Sequence, residues 1–130
     1  MESIEPGLSG EVKRIVTESD TAERWGSGLV PVFGTPSLVG LMENAAVEAL
    51  EGHLPPGRTS VGGRMDVRHL APTPVGMRVR AHAELVEIDN QRLVFQIEAW
   101  DEVEQIGEAT HERFVIEQEA FVAKAEAKRR

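Results

Sequence analysis

The spacing of apolar residues changes twice along the chain. Between Thr35 and about Glu51 they recur at helical intervals, in "TPSLVGLMENAAVEAL", as one face of a helix requires. Thr35 is expected to cap this helix and Pro36 to take its first position, where a missing N–H costs nothing. Gly52, then Pro55-Pro56-Gly57, should end it. On either side the period is two. Val12 to Val16 predicts a short first strand after a polar, loose lead-in over residues 1–9, and Arg58 to about Leu70 a long strand bent at Gly62-Gly63. In "MRVRAHAELVEI", Val79, Ala81, Ala83 and Leu85 share one face, opposite Arg78, Arg80, His82 and Glu84. Asp89-Asn90 turns the chain into "RLVFQIEAW", where Leu93, Phe95, Ile97 and Ala99 alternate with Val94, Gln96, Glu98 and Trp100. A last strand over 105–116 and a short helix in the Ala/Glu/Lys-rich tail complete the pattern.

One strand, one long helix and four meandering strands predict a single α+β domain over 1–130. About five antiparallel strands would wrap a helix of roughly 24 Å, at 1.5 Å per residue. That arrangement is the hotdog fold. Its edge strands are left open, so pairing with a second copy is expected, as a homodimer or a tetramer built from dimers.

Composition narrows the function. Twenty-two acidic against 14 basic residues give a net charge of −8, which disfavours a phosphate backbone as partner, so no nucleic acid is expected. There is no cysteine, which rules out thiolate metal ligands and a cysteine nucleophile. No apolar run reaches membrane-span length and no secretory signal pattern opens the chain, so the expected location is cytoplasmic.

Glu43 then stands out. At about 100° per residue, Val39, Ala46, Val47 and Leu50 fall within roughly 60° of it, so it reads as a carboxylate inside an apolar stripe. Burial there would raise its pKa and make it a useful base or nucleophile. The bland alternative is a structural glutamate bonded to a buried arginine, and helical position alone leaves the two even. Thr35 is ordinarily just a cap, yet it sits where a helix start offers partial positive charge. His69 ends the bent strand before a proline-bearing turn, where a side chain can face a cleft. His82 reads as solvated, His53 follows the helix C-terminus, where a cation is simply favourable, and His111 is ambiguous between core, surface and site.

Three stretches, "VFGTPSLVGLMENAA", "SVGGRMDVRHLAPTPVGM" and "DEVEQIGEATHERFVI", resemble the hotdog-fold acyl-CoA thioesterases, most closely the fluoroacetyl-CoA thioesterase-like group. The resemblance runs from about Val32 to the C-terminus. It implies a catalytic set of Thr35, Glu43 and His69, an acyl-contacting amide at Gly62 and a site arginine at Arg113. It also implies a site assembled across a homodimer, helix residues from one chain and the histidine from the other. Where the fluoroacetyl enzyme carries two lid phenylalanines, this chain has Gly26 and Leu29. Leu29 and Phe33 are the further expected substrate-binding residues, and without those rings fluoroacetyl-CoA is not the expected natural substrate.

The expected function is hydrolysis of a small acyl-CoA thioester, with an idle acyl-CoA or small-ligand binder on the same dimer as the alternative. No metal or cofactor is expected beyond the CoA of the substrate. Its phosphates would take some subset of Arg58, Arg64, Arg68, Arg78 and Arg80.

Overall fold

A computed structural model describes residues 4–129; Met1–Ser3 and Arg130 lie outside the described residues. The strands are β1 (Ser9–Ile15), β2 (Arg58–His69), β3 (Arg78–Asp89), β4 (Arg92–Asp101) and β5 (Gln105–Glu117). The helices are α1 (Ala22–Trp25), α2 (Thr35–Leu50) and α3 (Gln118–Glu126). The sheet is antiparallel in the order β1-β3-β4-β5-β2, which leaves β1 and β2 as its edges.

The period-two pattern places the core as expected. Val79, Ala81, Ala83 and Leu85 on β3, and Leu93, Phe95, Ile97 and Ala99 on β4, all face α2 and are buried. Leu38, Leu41 and Met42 answer from the helix, each contributing about 1.5–3 kcal/mol by leaving water. Small residues set the distance between helix and sheet. A methyl added at Gly10 would lie 2.4 Å from the Ala49 nitrogen and 2.6 Å from the Ala45 oxygen, so β1 crosses α2 at backbone contact.

Two local expectations change. From residue 4 onwards the lead-in is not loose: Ile4 is buried, and the Gly7 N–H donates to the Leu85 carbonyl, which extends the sheet before β1. The N-cap is Gly34, with Thr35 as the first helical residue. Gly34 stands against the Ala22 backbone, where a Cβ would meet atoms at 2.9 Å, and the Thr35 hydroxyl is engaged elsewhere. The bend in β2 is real: the register with β5 shifts between Gly62 and Arg64. Among the described residues no helix is long and apolar enough to cross a membrane.

Candidate active site

The sequence candidates form two clusters on one chain. In the first, the Thr35 hydroxyl and His69 Nδ1 lie 2.8 Å apart. Thr35 opens α2; His69 closes β2, held where the Leu70 N–H donates to the Ile106 carbonyl. A shallow pocket of about 310 Å³ adjoins them, lined by Val32, Phe33, His69, Leu70, Ala71 and Pro72. Burial lowers the His69 pKa from its ordinary value, and a smaller effect of the Ala71 backbone opposes it. The ring is therefore neutral at pH 7. Its Nε2 is buried with no hydrogen-bond partner, alone in this among the described residues' buried side-chain polar atoms.

In the second cluster, Glu43 reaches from α2 towards β2 and β5. Glu43 Oε2 lies 3.5 Å from Arg113 Nη1, and a methyl at Gly62 would come within 2.8 Å of that oxygen. Gly62 faces Arg113 across the β2–β5 ladder, so the glycine leaves the space that the carboxylate fills. The guanidinium is the most firmly held group here. Its Nε donates to Ser60 Oγ at 2.8 Å, Nη2 to the Ser60 carbonyl at 3.0 Å, and Nη1 to His111 Nε2 at 3.2 Å. Burial lowers the Arg113 pKa, with the Glu43 charge opposing.

Glu43 itself is not held out of water in the single chain. Its side chain is 41% exposed against 7% for Arg113. Val39 beside it is half-buried and Val47 is 44% exposed. The apolar stripe turns as the spacing predicts, but of the residues near Glu43 only Ala46 and Leu50 are buried, beside Leu38, Leu41, Met42 and Ala45, while Val47 is exposed. Glu43 lies at the margin of that covered face.

The clusters do not meet within a chain. Thr35 and Glu43 are eight residues apart on one helix, about 12 Å along its axis. Within the chain the histidine pairs with the threonine that opens its own α2. Of the further expected substrate-binding residues, Phe33 is fully buried and Leu29 is 92% exposed. Sequence reasoning left Ser60 and His111 unassigned; the alternation of His111 and Arg113 onto one face of β5 was the available signal. No group of three or more metal-ligating side chains occurs among the described residues.

The family model described as fluoroacetyl-CoA-specific thioesterase matches residues 16–119. The chain belongs to this family. The match starts earlier than Val32, where the resemblance was expected to begin. Among relatives of the family, the fluoroacetyl-CoA thioesterase of Streptantibioticus cattleyicolor is 45% identical over 97 residues, 75% of this chain and 70% of that protein. A crystal structure of a point mutant of the fluoroacetyl-CoA-specific thioesterase superposes with a TM-score of 0.90 at 36% identity, covering 96% of this chain and 97% of the other. A thioesterase superfamily member from Thermus thermophilus gives 0.88 at 27% identity, covering 98% and 97%. The fold is the hotdog fold, as in a hot-dog-like protein from Thermanaerovibrio acidaminovorans, at a TM-score of 0.89 and 26% identity over 99% and 96% of the two chains.

Proposed function

We propose that the protein hydrolyses a small acyl-CoA thioester at a composite site, in which Thr35 and His69 of one protomer face Glu43, Gly62 and Arg113 of its partner. The observation that carries this reading is the incompleteness of each cluster alone. His69 offers a buried, unpartnered Nε2, and Glu43 offers a half-exposed carboxylate flanked by half-buried Val39 and exposed Val47. A second copy seated on the open β2 edge and on this strip of α2 would supply what each lacks. Edge-strand pairing is the ordinary way to cover such a strand.

In this site the thioester carbonyl lies near the start of α2, where N–H groups and the helix dipole favour developing negative charge. Glu43 either removes a proton from water as it attacks the carbonyl carbon or attacks that carbon itself, giving an anhydride that water then opens. The C–S bond breaks, and the leaving thiolate takes up the proton that Glu43 drew from water. The His69 ring relays it, accepting it and passing it on, and so ends neutral as it began. In the anhydride route the thiolate takes its proton from solvent. The products are a carboxylic acid and free CoA thiol. Thr35 sets the ring orientation through Nδ1. The scheme uses nothing beyond the chain, water and substrate, and the CoA phosphates face exposed arginines of the surface. With no lid aromatic at Gly26 or Leu29, selection for a fluorinated acyl group has no evident basis, and short unfluorinated acyl groups fit the reading best. We place this chemistry in the cytoplasm.

The test is an acyl-CoA panel followed by thiol release, then a mixing experiment. Glu43→Gln and His69→Ala homodimers should each be nearly inactive. Dissociated and reassociated in equal amounts, they should recover roughly a quarter of wild-type activity, because half the dimers carry one intact composite site of two. No recovery despite heterodimer formation would place the whole site within one chain. No turnover of any acyl-CoA by the wild type would favour the binding protein instead.

A further inference from the structure

His111 is 1% exposed and has no part in the scheme above, yet its surroundings dictate its protonation. Nδ1 lies 2.6 Å from the Arg64 carbonyl oxygen, and Nε2 lies 3.2 Å from Arg113 Nη1. A carbonyl oxygen can only accept and a guanidinium can only donate. The ring must therefore carry its proton on Nδ1 and present a lone pair at Nε2. The register shift of β2 lies immediately before Arg64, so the ladder is interrupted just where the imidazole takes that carbonyl.

The groups facing this ring are Arg113 from its own strand, Glu43 from α2, Glu112 at the neighbouring position, and the Arg64 carbonyl from β2. Burial is the largest influence and holds the imidazole below its usual pKa. The Arg64 carbonyl opposes that, the Arg113 cation adds to it, and Glu43 and Glu112 oppose it from further away. Protonation would put a second donor against the Arg113 guanidinium and end the contact.

The consequence reaches Glu43. Arg113 Nη1 is shared between His111 Nε2 at 3.2 Å and Glu43 Oε2 at 3.5 Å, and the second distance is long for a hydrogen bond. The other edge of the guanidinium is fixed on Ser60. The imidazole lone pair holds one of the two Nη1 N–H groups on the β5 side. With that anchor gone, Nη1 is free to shift towards the carboxylate and clamp it as a closer charge-assisted pair. A clamped carboxylate is a poorer base and a poorer nucleophile.

We infer that His111 is a positioning residue: as a neutral ring protonated at Nδ1, it holds Arg113 off Glu43 and leaves the carboxylate available to the substrate. This rests on the hydrolase reading given above. The test compares kcat and KM for wild type, His111→Leu, His111→Gln, Arg113→Ala and the double variant His111→Leu/Arg113→Ala, on the acyl-CoA that the wild type turns over fastest. His111→Leu should lose about 10- to 100-fold in kcat with KM within about threefold, because the fault lies in the reacting carboxylate. His111→Gln, which keeps an acceptor for Arg113, should stay within about fivefold of wild type. In the Arg113→Ala background the leucine substitution should change kcat by less than about twofold, since the group it acts through is gone. An equal loss with and without Arg113, or no loss in a folded His111→Leu, overturns the proposal.

Should His111→Leu fail to fold, the acid limb of kcat/KM decides. It should fall with two protonations in wild type, from His69 and His111, and with one in His111→Gln; equal slopes overturn the idea. Should the wild type hydrolyse no acyl-CoA, the hydrolase reading fails by itself. The imidazole nitrogen spectrum of the full chain then still reads the tautomer. A ring protonated at Nδ1 alone at pH 7 supports the assignment, and protonation at Nε2 defeats it.

Discussion

The two clusters are built on different principles. Thr35 and His69 sit at the end of the sheet, joined by one side-chain contact of 2.8 Å, and the ring nitrogen beyond it has no partner. Glu43 and Arg113 sit midway along β2 and β5, where three hydrogen bonds to Ser60 and His111 fix the guanidinium before the carboxylate is considered. The first arrangement leaves a proton site idle; the second leaves almost no polar atom of the arginine idle. A group that moves a proton needs a nitrogen able to exchange partners, whereas a group that sets the charge around a carboxylate needs rigidity. One helix holds the two about 12 Å apart, so each is organised independently of the other.

The largest effects should come from removing one reacting group from each cluster. Glu43→Gln should lower kcat by about 10³-fold or more and His69→Ala by about 10²-fold, both with thermal midpoints within a few degrees of wild type. If both groups serve one carbonyl, the double variant should be hardly slower than Glu43→Gln alone, because groups acting as a unit lose their effect together. Independent, multiplying losses would mean the two clusters serve different steps or different sites. Thr35→Ala should cost about tenfold and Thr35→Ser much less, as expected for a hydroxyl that only orients the ring.

Next in size is a contrast between two glycines, read by stability. Gly10→Ala would drive a methyl to 2.4 Å from the Ala49 backbone nitrogen, where neither β1 nor α2 can yield. It should cost about 3 kcal/mol or more, measured by urea unfolding. Gly62→Ala meets chiefly the end of the Glu43 side chain, at 2.8 Å, and a side chain can swing aside. It should leave the unfolding midpoint nearly unchanged yet lower kcat at least about tenfold, by displacing the carboxylate from beside Arg113. A large loss of stability with kcat preserved would make Gly62 a packing residue.

The sequence disclosed the fold wherever one residue pattern had one outcome. Alternation fixes which of Val79, Arg80 and Ala81 faces the helix, and the helix ends where Gly52 and the Pro55-Pro56-Gly57 run demand it. Glu43, Thr35 and His69 were also legible as candidates, since each breaks a local pattern. What the sequence did not disclose depends on distance across the chain. Nothing local tells that Thr35 would give up capping for a histidine 34 residues away, nor that Gly34 must be the cap because Ala22 lies against it. Glu43 is 41% exposed in the single chain for a related reason: helical spacing says which residues share a face with the carboxylate, but not how far round the sheet reaches. His111 was ambiguous because its role lies in two contacts, to Arg64 and Arg113, that exist only once β2 and β5 are paired at the bulge.

The smallest effect expected is a pH dependence of stability carried by the two histidines. Burial lowers the folded-state pKa of both His69 and His111, so between those values and about 6.5 the unfolded chain binds more protons than the folded one. Stability from these rings is fully present above about pH 6.5 and is lost as pH falls below it. The carboxylates of Asp20 and Asp101 are also shifted, but downwards, and their contribution persists until pH drops through the ordinary aspartate value, well below this window. Urea midpoints taken between pH 7.5 and 5.5 should therefore decline in wild type, with the decline reduced in His111→Gln and in His69→Gln. Each reduction follows from burial of its ring; for His111, 1% exposed, the Arg113 cation adds to it while the Arg64 carbonyl, Glu43 and Glu112 oppose it. A decline undiminished in either variant would mean that its ring takes up a proton as readily in the folded chain as in the unfolded one.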